Sequence, residues 1–387
     1  MDILSFKLRT VIFWAHLVVG ILVGVVVLLM SATGVLLTYE RQISEWVEQS
    51  YSADIESTQA LYSVDKLIAL AQVLHPNEDH FQLRLVNRPG AAVPVWAGPK
   101  SYLANASAGE MLREGQGTVD EVFGFVTNLH RWFAIEGKGF GLARSVINYS
   151  NLLFFFLIVS GVYLWLPRVL IWLILKTKIL FNPLVNNAKA RDYNWHHVFS
   201  FWALLPLSFM SLCATVFYFS WASSTLYAAY GEVASERSES PRDEPSSSII
   251  GTVSYDSLLE KAKVHASQNG ASDWYSIWLQ TGTASGETEF YIDRSIGHRP
   301  NLAYEITLNI DSGDLIEAKF HEDWSRGDRA WDVARFGHTG EWWGFFGQTI
   351  AGLASLAACL LVYTGLALAW RRLTKLLPQF SFKVWES

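Results

Sequence analysis

The stretch Arg191-Asp-Tyr-Asn-Trp-His196-His197-Val-Phe-Ser200 opens an apolar run that continues to Trp221. Ionisable side chains inside a membrane span are costly, so histidines at such a place are candidates for function. An earlier stretch, Phe13-Trp14-Ala15-His16-Leu-Val-Val-Gly20, opens a second run of similar length in the same way. An ungapped overlay places His16 on the first histidine of the later pair, and a shift of one residue places it on the second. The sequence therefore leaves open which of the two is the counterpart.

Four apolar runs are each long enough to cross a bilayer, which takes roughly 20 residues. Of the 387 residues, 51% are hydrophobic and only 17% are charged, which is unlike a water-soluble domain. The net charge of −6 gives no reason to expect a nucleic-acid partner. We therefore predict a membrane α-helical fold with transmembrane helices at 12–39, 142–166, 195–221 and 345–370.

The lysines and arginines that flank the spans predict the orientation. They concentrate in three short segments, 1–11, 167–194 and 371–387. Short basic segments stay in the cytoplasm, so both termini and the middle loop are predicted inside and the long segments 40–141 and 222–344 outside. The first span is too long for a signal peptide, so we expect it to be retained.

The two external segments share one plan. In each, a helical pattern (64–74 and 256–268) is followed by extended pieces, and Gly109 and Gly313 stand where a tight hairpin requires positive φ. The Ser- and Pro-rich stretch 235–248 is predicted to be a flexible linker. We therefore expect a duplicated helix–module–helix arrangement with two α+β modules. The expected strands are 82–86, 93–97, 102–112, 274–280, 287–292 and 303–310.

Histidines occur at two predicted depths. His16 and one of His196 and His197 lie near the inner face, whereas His130 and His338 precede the second and fourth spans at the outer face. Two facing imidazoles are what a six-coordinate b-type haem needs, and helical bundles hold cofactors between facing side chains. The pattern predicts two haem b groups, one for each pair of histidines.

Arg131 follows His130 directly and is a candidate to neutralise a haem propionate. An interfacial anchoring role explains it equally well.

Other cofactors fit the pattern less well. Copper and zinc also bind imidazole, and proton relays also use histidine. Zinc sites and proton relays usually recruit acidic residues as well, and the apolar runs contain none. Cys213 and Cys359 lie in no CxxC or CxxCH motif, which argues against disulfides, thiolate clusters and c-type haem. No P-loop or dinucleotide-binding glycine motif is present.

Over nearly its whole length the chain resembles the PepSY-associated transmembrane proteins of Gram-negative bacteria, and within them the inner-membrane ferrisiderophore reductases of the FoxB type. The motifs that carry this resemblance are Trp14-x-His16, Leu129-His130-Arg131, Ser160-Gly161-Val-Tyr-Leu-Trp165, Trp195-His196-His197, Gly337-His338 and Thr364-Gly365.

The resemblance implies an inner-membrane enzyme with two b-type haems and periplasmic PepSY-like modules. It implies that electrons from a quinol or a redox protein reduce a ferric siderophore in the periplasm, with a hydroxamate such as ferrioxamine as one candidate, and release Fe(II). Carried over by position, the axial ligands are His16 with His196 or His197, and His130 with His338; no catalytic residue beyond the haem is implied. Conceivable contacts of the siderophore are Arg294, Arg299, Arg326, Arg329 and Arg335.

Two interpretations compete with a reductase. PepSY modules also act as binding or peptidase-inhibitory domains, so the chain could be a sensor or assembly protein, although such a protein has no need of an inner histidine pair. A transporter predicts broken helices and polar groups at the membrane midplane. Here Pro206 is the single proline in the interior of the four runs.

Overall fold

The computed structural model describes residues 2–49, 63–78, 80–98, 100–105, 109–115, 117–167, 169, 171–234, 251–281, 286–296 and 299–375. The predicted linker 235–248 and the end of the C-terminal segment, 376–387, lie outside these ranges. The chain divides into two compact units. The membrane unit comprises residues 1–38, 126–219 and 348–387, and the sheet unit comprises residues 39–125 and 220–347.

Helices occur in both units. In chain order they are α1 (Asp2–Leu37), α2 (Glu40–Glu48), α3 (Val64–Leu74), α4 (Thr118–Trp132), α5 (Phe140–Trp165), α6 (Trp172–Ile179), α7 (Ala188–Trp202), α8 (Leu204–Tyr218), α9 (Ser220–Ala228), α10 (Tyr255–Gln268), α11 (Arg326–His338) and α12 (Gly344–Leu373). Short 3₁₀ turns occupy Gly137–Gly139, Pro300–Leu302, His321–Asp323 and Glu341–Trp343.

Among the described residues, three continuous helical segments are long and apolar enough to span a membrane: Lys7–Glu48, Gly137–Trp165 and Glu341–Leu373. They contain the predicted first and fourth spans, and the second except for its last residue, Leu166. The pair α7 and α8 makes a fourth span if it is counted as one, but it is bent by 65°. The chain is thus a membrane protein with three or four spans, and the third is not the single run 195–221 that the sequence predicts.

Pro206 explains the break between α7 and α8. It lies in the first turn of α8, where a proline is tolerated. If α7 and α8 were one continuous helix, Pro206 would lack an N–H to donate and its ring would clash with the carbonyl four residues earlier. The backbone nevertheless stays hydrogen-bonded, because the Ala203 N–H donates to the Phe199 carbonyl (3.0 Å) and the Leu207 N–H donates to the Ala203 carbonyl (2.9 Å). The bend therefore costs the span little hydrogen bonding.

A buried polar contact joins α5 to α8 within the membrane unit. The Asn151 amide donates to the Ser211 carbonyl (3.0 Å) and to the Thr215 hydroxyl (3.2 Å), and the Ser211 hydroxyl donates back to the Asn151 side-chain oxygen (3.0 Å). Small polar residues let helices approach closely in a bilayer, and hydrogen bonds between helices add to their association. This network fixes the register of the two helices.

The sheet unit contains one eight-stranded antiparallel sheet in the order β4-β3-β2-β1-β5-β6-β7-β8. Its strands are β1 (Phe81–Val86), β2 (Val93–Ala97), β3 (Lys100–Asn105), β4 (Glu110–Glu114), β5 (Ser276–Gln280), β6 (Glu287–Asp293), β7 (Ala303–Asn309) and β8 (Leu315–Phe320).

The two expected modules are therefore two halves of one sheet, joined where β1 pairs with β5 from Gln82↔Gln280 to Val86↔Ser276. Each half contributes four strands where the sequence predicts three. The pairing removes two exposed strand edges, which an isolated four-stranded module would leave open to aggregation.

The two halves support each other symmetrically. Asp65 of α3 accepts the backbone N–H groups of Tyr255 (2.8 Å) and Asp256 (3.2 Å) at the start of α10, while Asp256 accepts that of Val64 (2.6 Å) at the start of α3. Each carboxylate thus satisfies the free N–H groups at the other helix's N-terminus.

The predicted correspondence of the two hairpins is confirmed. Gly109 and Gly313 have φ of 71° and 68° in the β3–β4 and β7–β8 turns, and both strand pairs shift register at the same place.

Candidate haem-binding site

His16 on α1 is held by α5. Its Nδ1 lies 2.9 Å from the Ser160 hydroxyl oxygen, and its ring is partly buried. The next residue on α5 is Gly161, where an added Cβ would lie 3.4 Å from the imidazole Cε1. The Ser-Gly pair therefore supplies a hydrogen-bond partner together with the space that the imidazole needs.

His196 on α7 is held by α12 in the same way. Its Nδ1 lies 3.0 Å from the Thr364 hydroxyl oxygen, and a Cβ at Gly365 would lie 3.4 Å from its Cε1. The duplication thus gives two equivalent histidines, each held by a hydroxyl-glycine pair on another helix.

A third imidazole repeats this geometry near the other end of α1. His130, in the last turn of α4, has its Nδ1 2.8 Å from the Thr33 hydroxyl oxygen on α1. A Cβ at Gly34 would lie 3.8 Å from the His130 Cε1. Residues 16 and 33 are about 26 Å apart along α1 at 1.5 Å per residue, so the two levels nearly span a bilayer core of about 30 Å.

The hydroxyl groups fix the tautomer of all three imidazoles. Each hydroxyl lies within donor distance of the carbonyl four residues earlier in its own helix, at 2.7 Å for Ser160, Thr33 and Thr364. Because each hydroxyl proton is used in that bond, the oxygen accepts from the histidine, and Nδ1 carries the proton. Nε2 then keeps its lone pair, which is the form of imidazole that binds a metal ion.

His197 has different surroundings. Its Nδ1 donates to the Tyr193 carbonyl one turn earlier in the same helix (2.8 Å), and its ring packs on the Tyr193 ring at 4.1 Å between centroids. Among the hydrogen bonds of the described residues, its imidazole makes none to another helix. The geometry therefore makes His196 the counterpart of His16, a choice that the sequence leaves open.

A buried ion pair fixes α7 against α12 one turn before His196. Asp192 is fully buried, and its carboxylate accepts from Arg371 at 2.6 Å and from Arg191 at 2.9 Å. A buried carboxylate is tolerated only when charged partners compensate it. The sequence pattern marks these arginines only as cytoplasmic flanks, whereas the structure uses Arg371 to hold together the two helices of the His196 site.

The remaining predicted residues have other surroundings. His338 ends α11 and belongs to the sheet unit. Arg131 is exposed, with its guanidinium carbon 5.0 Å from the Trp132 ring centroid, which fits an interfacial anchor. Of the five arginines, Arg294 forms a bidentate pair with Asp273 and Arg335 lines a cavity of the sheet unit.

Within the described ranges, no group of three or more His, Cys, Asp or Glu side chains could hold a metal ion by itself.

The hydroxyl partners Ser160, Thr364 and Thr33 were not predicted from the sequence. Gly161 and Gly365 border the imidazoles of His16 and His196. A usable signal exists, because a hydroxyl residue followed by glycine occurs in all three partner helices. The equivalent of Thr33-Gly34 in the second half is Cys213-Ala214, so the repeat is incomplete there.

The family model described as the PepSY-associated TM region matches residues 13–372, which is most of the chain. No curated protein matches the sequence significantly.

Proposed function

Because the chain belongs to the PepSY-associated TM family, we propose that it is a di-haem b-type membrane reductase. In this proposal, electrons from a membrane quinol or a redox protein cross to the periplasmic side of the inner membrane. There they reduce an Fe(III)-siderophore by one electron, and Fe(II) is released for uptake. The family match supports a membrane protein of the PepSY-associated type, and the haem groups and the reductase activity are our inference from the residues.

The observation that carries the proposal is the shared state of three imidazoles. His16, His196 and His130 each donate Nδ1–H to a hydroxyl on a neighbouring helix. In this tautomer the Nε2 atom of each ring carries the lone pair that coordinates a metal ion. A histidine that only anchors a helix end has no need of such a partner on another span. The same partner recurs with the same adjacent glycine, which is what a repeated ligand site requires.

These residues fit haem b. A b-type haem would need only two imidazole ligands from the protein, so a pair of histidines would be sufficient to hold it. When bound, it supplies one-electron transfer between its two iron oxidation states. We assign His16 and His196 to the inner haem, and we assign His130 and His338 to the outer haem from their positions before the second and fourth spans.

The protein residues orient and tune the ligands. The hydroxyls of Ser160, Thr364 and Thr33 hold each ring in one rotation and one tautomer, and partners of this kind raise the basicity of a metal-binding imidazole. The Asp192–Arg371 pair holds α7 to α12 and so preserves the spacing of His196 and Thr364.

The chemistry of release follows from the metal. Hydroxamate and catecholate oxygens are hard ligands and favour the hard Fe(III) ion over Fe(II). Addition of one electron to the bound ferric ion therefore weakens its chelation, and the chelator is left free. Oxidation of one quinol supplies two electrons, enough for two such turnovers.

The competing functions find less support. A PepSY-type sensor or assembly protein has no use for the two inner histidines. The bend between α7 and α8 is a broken helix such as a transporter would have, but Pro206 accounts for it and the carbonyls of Phe199 and Ala203 accept hydrogen bonds across it. Coordination of a transported ion would require such carbonyls to point into a cavity.

The first test is the reduced-minus-oxidised visible spectrum of the detergent-purified protein with its haem-to-protein ratio. We expect a bis-imidazole b-type spectrum and two haems per chain, and we expect reduction of an added ferric hydroxamate once the protein is reduced. A colourless protein would refute the proposal and favour the sensor interpretation.

Two variants separate the neighbouring histidines. His196→Ala should lose the inner haem and keep the outer one, whereas His197→Ala should keep both. Loss of haem in His197→Ala alone would show that the assignment of the pair is wrong. His130→Ala and His338→Ala should each lose the outer haem and the reduction of the external ferric complex, and full activity in either would exclude it as a ligand.

A further inference from the structure

Three ring side chains of α7, none of them a proposed haem ligand, follow one face of the helix. They are Tyr193, His197 and Phe201, spaced four residues apart, and we call them the α7 stripe. Tyr193 and Phe201 are 52% and 36% exposed, and His197 between them is half-buried. The centroids of the Tyr193 and His197 rings are 4.1 Å apart. The α7 stripe is therefore an accessible aromatic surface of the membrane unit.

The His197 ring offers a hydrogen-bond acceptor at the centre of this surface. Its Nδ1–H donates to the Tyr193 carbonyl at 2.8 Å, so the neutral ring carries its lone pair on Nε2. In the part of the chain that the structure describes, no hydrogen-bond donor reaches that nitrogen. A bare acceptor near hydrocarbon is costly. A ligand with an O–H or N–H group would satisfy it, whereas a ligand with only acceptor oxygens would not.

The helix that carries the α7 stripe is fixed to α6. The buried Asn194 amide donates to the carbonyls of Thr177 (2.9 Å) and Leu180 (3.2 Å), which holds the end of α6 against α7. The Trp202 indole N–H donates to the Ile179 carbonyl at 2.9 Å and ties the last turn of α7 to the same helix. The surface beside His197 is therefore preformed.

Trp165 of α5 extends the aromatic surface. Its indole N–H donates to the His197 carbonyl at 3.2 Å, and its ring stacks on Phe201 at 5.3 Å between centroids. The Lys178 ammonium lies 5.6 Å from the centroid of the Trp165 ring and donates to the Trp165 carbonyl. This ammonium thus caps a free carbonyl at the end of α5. The acceptor on His197 is left for a ligand.

The α7 stripe lies next to the proposed inner haem ligand. His196 and His197 are consecutive, and their ring centroids are 6.4 Å apart. A hydroxyl bonded to His197 Nε2 at about 2.8 Å would lie within roughly 11 Å of the His196 ring. Successive side chains of a helix point about 100° apart, and His196 turns towards Thr364 of α12. A ligand at His197 would therefore be near the inner haem without competing for its iron.

We propose that the α7 stripe binds a membrane quinol, whose hydroxyl donates to His197 Nε2 and whose ring packs against the adjacent aromatic side chains. This inference rests on the proposed function, in which the electron donor is a quinol or a redox protein, and it selects the quinol. A quinol carries hydroxyl donors on an aromatic ring and dissolves in the bilayer, so it matches the acceptor, the rings and the location. The quinone offers only acceptor oxygens, so the reduced form binds more tightly.

The same preference clears the site after each turnover. Oxidation of one bound quinol to the quinone breaks its two O–H bonds. Its two electrons pass singly through the inner haem to two ferric chelates, and its two protons pass to water. Because the product has lost the donors that His197 recognises, the site releases it.

The experiment measures equilibrium binding of duroquinol to the full-length protein in phosphatidylcholine nanodiscs, under nitrogen at neutral pH, with binding to empty nanodiscs subtracted. Duroquinone and the dimethyl ether of duroquinol have the same ring but no hydroxyl. We expect each of them to bind roughly 2- to 12-fold more weakly, the range of one net hydrogen bond. Equal binding of the three compounds would overturn the proposal. Displacement of duroquinol by phosphatidylethanolamine, whose ammonium is another donor, would overturn it too.

Matched variants locate the site. His197→Phe keeps a ring beside Tyr193 but removes the acceptor, so it should bind duroquinol and duroquinone equally. His197→Gln keeps an acceptor oxygen and should retain the preference for duroquinol. The control is His75→Phe, which replaces a histidine packed on Tyr102 in the sheet unit and should leave the preference unchanged. A preference for duroquinol that survives in His197→Phe would refute the site.

A second readout separates this proposal from the reductase proposal. Duroquinol should reduce the haem of the parent, and His197→Phe should raise the KM for duroquinol while dithionite still reduces both proteins completely. Haem reduction by duroquinol that is unchanged in His197→Phe would refute only the quinol site. Selective binding of duroquinol by a protein without haem would refute only the reductase.

Discussion

Replacement of Thr364 by valine tests the ligand geometry most directly. Valine has nearly the shape of threonine but no hydroxyl, so the variant removes the acceptor that lies 3.0 Å from His196 Nδ1. A buried N–H left without a partner costs about 1–3 kcal/mol. Loss of a partner of this kind typically lowers the affinity of a metal site by about 10- to 100-fold. A change of that size equals about 1.4–2.8 kcal/mol, so the two estimates agree.

The assay follows transfer of haem from the protein to an excess of a soluble haem-binding acceptor, read from the visible spectrum. It is done in a His130→Ala background, where only the inner haem is expected to remain. Thr364→Val should bind the inner haem about 10- to 100-fold more weakly, and Thr364→Ser should retain nearly the original affinity because it keeps the hydroxyl.

Thr374→Val is the matched control. The Thr374 hydroxyl also donates to the carbonyl four residues earlier in α12, at 3.0 Å, but it is exposed and no imidazole is bonded to it. Its variant should bind haem as the parent does. If Thr364→Val retains the parental affinity, the hydroxyl sets neither the ligand nor its tautomer.

Three further changes test one contact of the site and the fold of each unit. Gly365→Ala places a Cβ about 3.4 Å from His196 Cε1, so it should weaken inner-haem binding by up to tenfold. Equal haem retention by variant and parent would show that the imidazole has room to move. Ala134→Gly should raise the thermal midpoint, since Ala134 has φ of 52° and a left-handed conformation costs a non-glycine residue about 1–2 kcal/mol; a lower midpoint would contradict that account of the turn. Burial raises the pKa of Asp293 from 3.8 to about 6, so folding favours the protonated carboxyl group. Its contribution to the free energy of unfolding, about 3 kcal/mol, is present below pH 4 and is lost as the pH rises through 6. Asp293→Asn should therefore flatten the dependence of thermal stability on pH between about 4 and 6.5, and an unchanged profile would assign that dependence to other groups.

The hydropathy of the sequence determined the membrane class and the approximate spans, because a bilayer imposes a minimum apolar length that few other environments require. The internal duplication identified the candidate histidines, since His16 and His196 are far apart in the chain and occupy equivalent positions in the two halves. It also predicted matching hairpins, because a tight turn restricts Gly109 and Gly313 to the same positive φ.

Only the tertiary structure decided the contacts between segments distant in the chain. It joined the two expected modules into one sheet through β1 and β5, a pairing that the alternation of both strands permits but does not specify. It made His196 the geometric counterpart of His16, because only the packing of helices determines which ring reaches Thr364. It also showed that the hydroxyls beside the glycines, and not the glycines alone, set the imidazoles. Local pattern restricts the types of residue that a site can use, whereas the packing of helices determines which of them meet.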